Sequence, residues 1–352
     1  MEGMSSAPLG GGRLWERVSD DPQQRARVGL FAFILILVVV LIGFEGLQAV
    51  AQRSLNGLST GAIYALGAVG LTLVYGILKL VNFAHGDFLT FGAYAAYIVN
   101  VSWGGPLILG IIFAIIATAL LGIALEKGMW GPMRARGAGQ LQLLLMAIGL
   151  AFVLGYGIQF VPQINGSGIT WDVPAFGTEL LQYDINRSTA VEFLGLRIGE
   201  IQLIVIIVGF AILIATGLML KLSTLGKRMR ALSDNLDLAE TTGINTSRVI
   251  LWTWIFAAGL AGMAGVFAGA ITQLQPELGF EILLPIFAAV VLGGIGNAFG
   301  ALTAGVLLGI VIEWSTFLPF IPSGAKLAVG FVVLILVLVV RPQGILGQAR
   351  TV

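Results

Sequence analysis

No cysteine occurs among the 352 residues, which excludes disulfides and thiolate-held metals and leaves the redox compartment open. Charge is nearly as scarce: 11% of residues are Asp, Glu, Lys or Arg, against 57% hydrophobic. No soluble domain of this length has that balance, and mean hydropathy is +0.97. Catalytic motifs are missing as well. There is no HExxH, GxSxG or CxxC, so membrane hydrolase and metalloprotease readings lack their chemistry. The pair Gly226-Lys227 has no phosphate-cradling loop around it, so if ATP drives this protein another chain binds it. No cofactor or metal is expected, and the chain is not expected to be an enzyme.

What is present is apolar sequence. Runs fall at about 30–50, 55–80, 86–103, 106–125, 141–161, 201–221, 249–272, 283–298, 300–318 and 325–341. They predict an all-α polytopic membrane protein with roughly 8–10 transmembrane helices, the third and eighth short enough to be broken or re-entrant. A β-barrel is excluded, because its strands alternate and span only about ten residues. Glycine is abundant, 49 residues, mostly inside these runs. Gly57/Gly61, Gly265/Gly269, Gly296/Gly300 and Gly305/Gly309 are small-xxx-small pairs that let helix backbones approach.

Threading the runs from an inside N-terminus puts Arg134, Arg136, Lys227, Arg228 and Arg230 inside, and only Arg53, Arg187, Arg197 and Lys326 outside. The positive-inside rule favours that orientation. The organisation expected is a cytoplasmic tail at 1–29, a permease-like membrane domain at 30–341 and a cytoplasmic tail at 342–352. Within the domain, 162–200 is an outer loop and 222–248 an inner one. The outer loop carries Asp172, Glu179, Asp184, Glu192 and Glu200 with Trp171 and Tyr183, and reads as a cap or a contact surface for an external partner. Glu45, Glu281 and Glu313 lie towards outer span ends and Asp87 towards an inner one, so a mid-membrane carboxylate for ion coupling is missing.

The polar stretch Lys221–Val249 interrupts this apolar chain. Met229, Leu232, Leu236, Ala239 and Gly243 recur at helical spacing, leaving one apolar or small face. Asp234, followed by Asp237, is expected to cap a second short helix. Gly243 reads as its stop, and Asn245, Thr246 and Ser247 as caps of the next span. A basic amphipathic segment between spans is either a docking surface or a positive anchor.

Two further stretches stand out. Val81-Asn82-Phe83-Ala84-His85-Gly86-Asp87 holds the only histidine; Asn82 is expected to cap, Gly86 to break, and Asp87 to sit at a helix N-terminus. It reads as a hydrogen-bonded inner turn or as a gate element of a path. Leu292–Gly300 is a glycine-rich helix break or tight packing turn, since no βαβ context supports a dinucleotide loop.

Together these motifs resemble the permease subunits of branched-chain amino-acid ABC importers. The resemblance rests on Asn56-Gly57-Leu58, Gly61–Leu66, Val81–Asp87, Gly243–Thr246, Val291–Gly296 and Arg341–Gly347, in collinear order. Asp87 stands where the family more often has glutamate, and the first 50 residues are longer and more polar than the family's. The resemblance implies a multi-pass protein of the bacterial inner membrane, both termini cytoplasmic. Its partners would be a second related permease, two cytoplasmic ABC ATPases and a periplasmic substrate-binding protein. It places Asn82, His85, Gly86, Asp87, Gly293, Gly294 and Gly296 on a translocation path or gate. It makes Leu232, Asp234, Asn235, Ala239, Gly243, Ile244 and Asn245 the segment seated on an ATPase. The solute implied is a branched-chain or other neutral amino acid, with urea or a short-chain amide as the alternative. A stand-alone secondary transporter is the rival class.

Overall fold

The computed structural model describes residues 36, 38–160, 181–185, 189–193, 195–319, 321–341 and 343–345. The N-terminal tail, most of the C-terminal tail, and Trp171, Asp172 and Glu179 lie outside the described residues. Residues 1–52 and 53–352 form separate compact units. In the first, a helical stretch ends at Gly46, whose φ of 84° breaks it.

Helix α1 is Leu47–Leu78, α2 His85–Tyr97 with a π-helical turn at Ile98–Ser102, and α3 Leu107–Leu125. A second π-helical turn, Glu126–Trp130, joins α3 to α4, Gly131–Ala135. Then come α5 (Gln140–Phe160), the hairpin β1 (Thr189–Phe193) and β2 (Leu196–Gly199), and α6 (Glu200–Leu222). The polar segment forms α7 (Thr224–Asp234) and α8 (Leu236–Thr241). Helices α9 (Thr246–Ile271), α10 (Leu278–Gly293), α11 (Ala298–Trp314) and α12 (Lys326–Val340) complete the chain.

Six of the described helical stretches are long and apolar enough to cross a membrane: α1, α3 with α4, α5, α6, α9 and α11 with its 3₁₀ end. Helices α10 and α12 are apolar but shorter. Burial runs opposite to that of a water-soluble core. Helices α1 and α9 are the buried centre, while Ile112, Ile116 and Leu120 of α3, Phe152 and Val153 of α5, and Ile207 and Ile214 of α6 are exposed. Apolar residues on the outside suit hydrocarbon as solvent, and packing then depends on close backbone approach.

The glycine pairs supply that approach, and two of them are partners of one another. A Cβ on Gly57 would stand 2.6 Å from Ile310 Cα, one on Gly61 2.8 Å from Val306 O, and one on Gly305 2.6 Å from Ala65 Cα. Helices α1 and α11 therefore touch backbone to backbone. Helices α2 and α9 meet similarly at Gly92 and Gly262.

Of the outer loop, residues 181–185 are strapped down. Leu181 pairs with Leu274 across a short bridge, Asn100 Oδ1 accepts from Asp184 N at 2.8 Å, and Tyr183 Oη donates to Ala93 O at 2.8 Å. Burial, with Tyr94 beside it, holds the Tyr183 phenol well above its ordinary range.

Candidate functional site

Helix α1 lines two cavities. The first, about 910 Å³, meets Asn56, Ser59, Thr60, Ile63 and Tyr64. The second, about 660 Å³, meets Thr72, Leu73, Gly76 and Ile77. Between them Ala65, Leu66, Ala68, Val69 and Leu71 are all buried. From Tyr64 to Thr72 this plug is roughly 12 Å of helix, at about 1.5 Å per residue. Two chambers thus border one helix, with a buried stretch of that helix between the residues that line them.

The glycine-rich break borders the second chamber. Gly294 and Gly296 have φ of 95° and 88°, conformations that only glycine adopts without strain. Gly296 N donates to Thr72 Oγ1 at 3.1 Å, and Asn297 caps α11 by accepting from Gly300 N at 3.1 Å. Gly293 packs directly on Gly300, which leaves no room for a side chain at either position. The break expected from the sequence is there, and Gly296 lines the chamber.

The turn around His85 differs from expectation. Asn82 does not cap: Ala84 holds the N-cap position of α2 without a side-chain bond, and neither amide atom of the fully buried Asn82 finds a partner among the described residues. Gly86 does not break the helix either. It sits in the first turn of α2 because Gly279 packs against it, a Cβ there lying 2.7 Å from Gly279 O. His85 Nε2 lies 2.9 Å from Gly67 O and ties α2 to α1. Asp87 takes the expected first-turn place, its carboxylate facing Gly155 of α5. None of these four residues lines either chamber.

The polar segment folds as two capped helices. Ser223 Oγ accepts from Gly226 N at 2.9 Å and starts α7, which buries Gly226, Met229 and Leu232 while Lys227, Arg228 and Arg230 stay exposed. The cap of α8 is Asn235, not Asp234: its backbone is extended, with φ of −156°, and its Oδ1 accepts from Leu238 N at 3.0 Å. Asp234 is the last residue of α7 and lines the second chamber. Gly243, φ 84°, ends the segment as expected, with Ile244 N donating to Ala239 O at 3.2 Å. Asn245 caps α9 through Arg248 N at 2.9 Å. The small face of α8 is turned inward, however. Ala239 is 5% exposed and Leu232 1%, whereas Leu238 is 61% exposed.

Residues that sequence reasoning passed over join this segment to the chamber. Lys79 Nζ donates to Gly76 O at 2.6 Å and to Ser233 O at 3.2 Å, and Ser233 Oγ donates to the same Gly76 O at 3.1 Å. Also missed was a buried cluster at the end of α3. Glu126 accepts from Trp254 Nε1 at 2.8 Å and pairs with Arg134, while Trp130 stacks on Trp254 with ring centroids 6.1 Å apart. The scarcity of charge inside spans was the signal available for Glu126 and Lys79.

A family model described as branched-chain amino acid transport system, permease component, matches residues 53–340. The high-affinity branched-chain amino acid transport system permease protein LivH of Escherichia coli K12 is 33% identical over 306 residues, 84% of this chain and 95% of the relative. BraD of Pseudomonas aeruginosa, a permease protein of the same description, is 33% identical over 309 residues, with the same coverages of 84% and 95%. LivM of Salmonella typhimurium is 24% identical over 334 residues, 90% of this chain and 75% of the relative.

Proposed function

This chain belongs to the branched-chain amino-acid transport permease family, and we propose that it forms one half of the membrane path of an ATP-driven importer. It is a multi-pass membrane protein, and its relatives are transport subunits rather than enzymes by name. In the proposed assembly it pairs with a second, related permease, as the two kinds of relative suggest. Two cytoplasmic ABC ATPases supply the energy and a periplasmic binding protein delivers the solute. Both termini and the α7–α8 segment are cytoplasmic; the β-hairpin and the strap at 181–185 are periplasmic. The excess of exposed Lys227, Arg228 and Arg230 on the α7 side supports that orientation.

One observation carries the reading. The second chamber is bounded by the last turn of α7 itself, through Arg230, Ser233 and Asp234, so a push on the polar segment is delivered to a chamber wall. Leu238, Asp237 and Glu240, exposed on α8, form the face offered to an ATPase, in place of Ala239. The solute is a branched-chain or similar neutral amino acid, as the relatives' names suggest.

Reconstitution with the binding protein, the second permease and both ATPases tests this. ATP-dependent uptake of leucine, isoleucine or valine is expected, abolished when an ATPase loses its P-loop lysine. Uptake that survives that loss and collapses with the proton gradient would make this a secondary transporter. Preference for urea over leucine would overturn the solute.

A further inference from the structure

The first chamber carries a charge pair on its wall. Glu313, in the last turn of α11, is 5% exposed, and its Oε1 lies 2.6 Å from Nζ of Lys326, the first residue of α12. Both line the chamber, with Tyr64 of α1. Opposite charges at a cavity wall beside a membrane are a functional-site signature rather than a stabilising one, because burying them costs solvation.

The pair is incompletely satisfied. Glu313 Oε2 accepts no hydrogen bond among the described residues, and Lys326 uses one of its three ammonium donors. The Tyr64 hydroxyl likewise makes no hydrogen bond among the described residues. What is left over is one carboxylate oxygen, two ammonium protons and a phenol O–H. Those are the complements of an ammonium and a carboxylate borne on one small molecule. The rest of the chamber supplies an apolar wall, with Ile63, Ile201, Ile271, Ile282 and Leu327.

We propose that Glu313 and Lys326, with Tyr64, hold the head group of a zwitterionic α-amino acid in the first chamber while its aliphatic side chain lies against the isoleucine wall. This inference rests on the importer reading above. A zwitterion adds no net charge to a neutral pair, whereas a solute bearing one charge leaves an uncompensated ion in a poorly solvated chamber. Urea or a simple amide gains no ionic contact there.

The assembled importer in proteoliposomes, with its binding protein and leucine, gives the test. E313Q, K326Q and the exchange E313K/K326E are each expected to lower leucine uptake by about tenfold or more, while ATP hydrolysis stimulated by the loaded binding protein stays within about twofold. A pair that merely fastens α11 to α12 would be restored by the exchange. Uptake by the exchange variant within about twofold of the unmodified protein therefore overturns the proposal, as does unimpaired uptake by both single variants.

Should the charge variants fail to assemble, a variant that keeps the pair decides. In the cysteine-free chain, I282C places one thiol on the chamber wall. Leucine is expected to protect it from a maleimide, whereas leucinamide and isocaproate, each lacking one of the two head-group charges, do not. Equal protection by either analogue, or none by leucine, overturns the proposal. If the unmodified assembly takes up no leucine with ATP, the importer reading itself fails and this inference falls with it.

Discussion

Replacing Lys79 by methionine probes how the polar segment is tied to the path. The lysine ammonium bridges Gly76 O and Ser233 O at 2.6 and 3.2 Å. A hydrogen bond from a charged group contributes about 1.5–3 kcal/mol; only the bond to Ser233 O crosses to α7, since Gly76 O belongs to the last turn of α1, so the tie is put at about 1.5 kcal/mol. The parallel Ser233 Oγ–Gly76 O bond, about 1 kcal/mol, survives the change. Lys79 is also the one described non-glycine residue with positive φ, 53°, a conformation that costs an L-residue about 1–2 kcal/mol. Methionine keeps that strain and loses the tie; glycine loses the tie and relieves the strain. A loss of about 1.5 kcal/mol shifts the joined-to-separated ratio by about tenfold. In the reconstituted importer, Lys79→Met and Lys79→Gly are both expected to raise the ATP hydrolysed per leucine about tenfold, with hydrolysis itself little changed. If uptake and hydrolysis fall in proportion, or if glycine behaves like the unmodified chain, the joint does not transmit and the reasoning is refuted.

Three further outcomes are expected. Gly61→Val places methyl groups against the Val306 backbone, so thermal unfolding in detergent should show a loss of about 2–4 kcal/mol, whereas Gly149→Ala, with open space around it, should cost little. Gly243→Val meets nothing within 4 Å but must hold φ of 84°, so it should cost about 1–2 kcal/mol and lower coupled uptake, with Gly243→Asn tolerated better; equal uptake by both would show that the conformation does not matter. For orientation, a membrane-impermeant maleimide on intact cells should label Glu192→Cys and spare Arg228→Cys, and the reverse pattern would invert the scheme.

Most helices were legible because hydrocarbon imposes long apolar runs, and the turn residues Gly243, Gly294 and Asn245 were legible because their local chemistry is restrictive. What the chain touches was not. The polar residues Asn56 and Ser59 interrupt hydropathy and read as the start of a span, yet α1 begins at Leu47 and continues through them. They form one polar stripe on a continuous helix, where Asn56 Oδ1 accepts from Gln202 Nε2 at 2.9 Å beside the first chamber. Periodicity marked Ala239 as a small face, but periodicity does not distinguish a face packed on its own chain from one offered to a partner. Asp234 and Asn235 are both good caps; the backbone at 235 chose between them. The Glu313–Lys326 pair escaped because its members stand in separate helices, brought together by the turn between α11 and α12.

The interlocked glycines of α1 and α11 also bear on how such a path opens. Contacts made by side chains can be loosened by rotamer changes; contacts made by backbone cannot, since nothing lies between the two main chains to rearrange. The pair is thus expected to move as a single beam, and it runs from the wall of one chamber, at Glu313, to the wall of the other, at Ala298. In the proposed assembly, a displacement applied at the polar segment would therefore tilt that beam as a whole against the companion permease. One end would close as the other opened, and a short stroke at the proposed ATPase would be exchanged for a change of access on the opposite side.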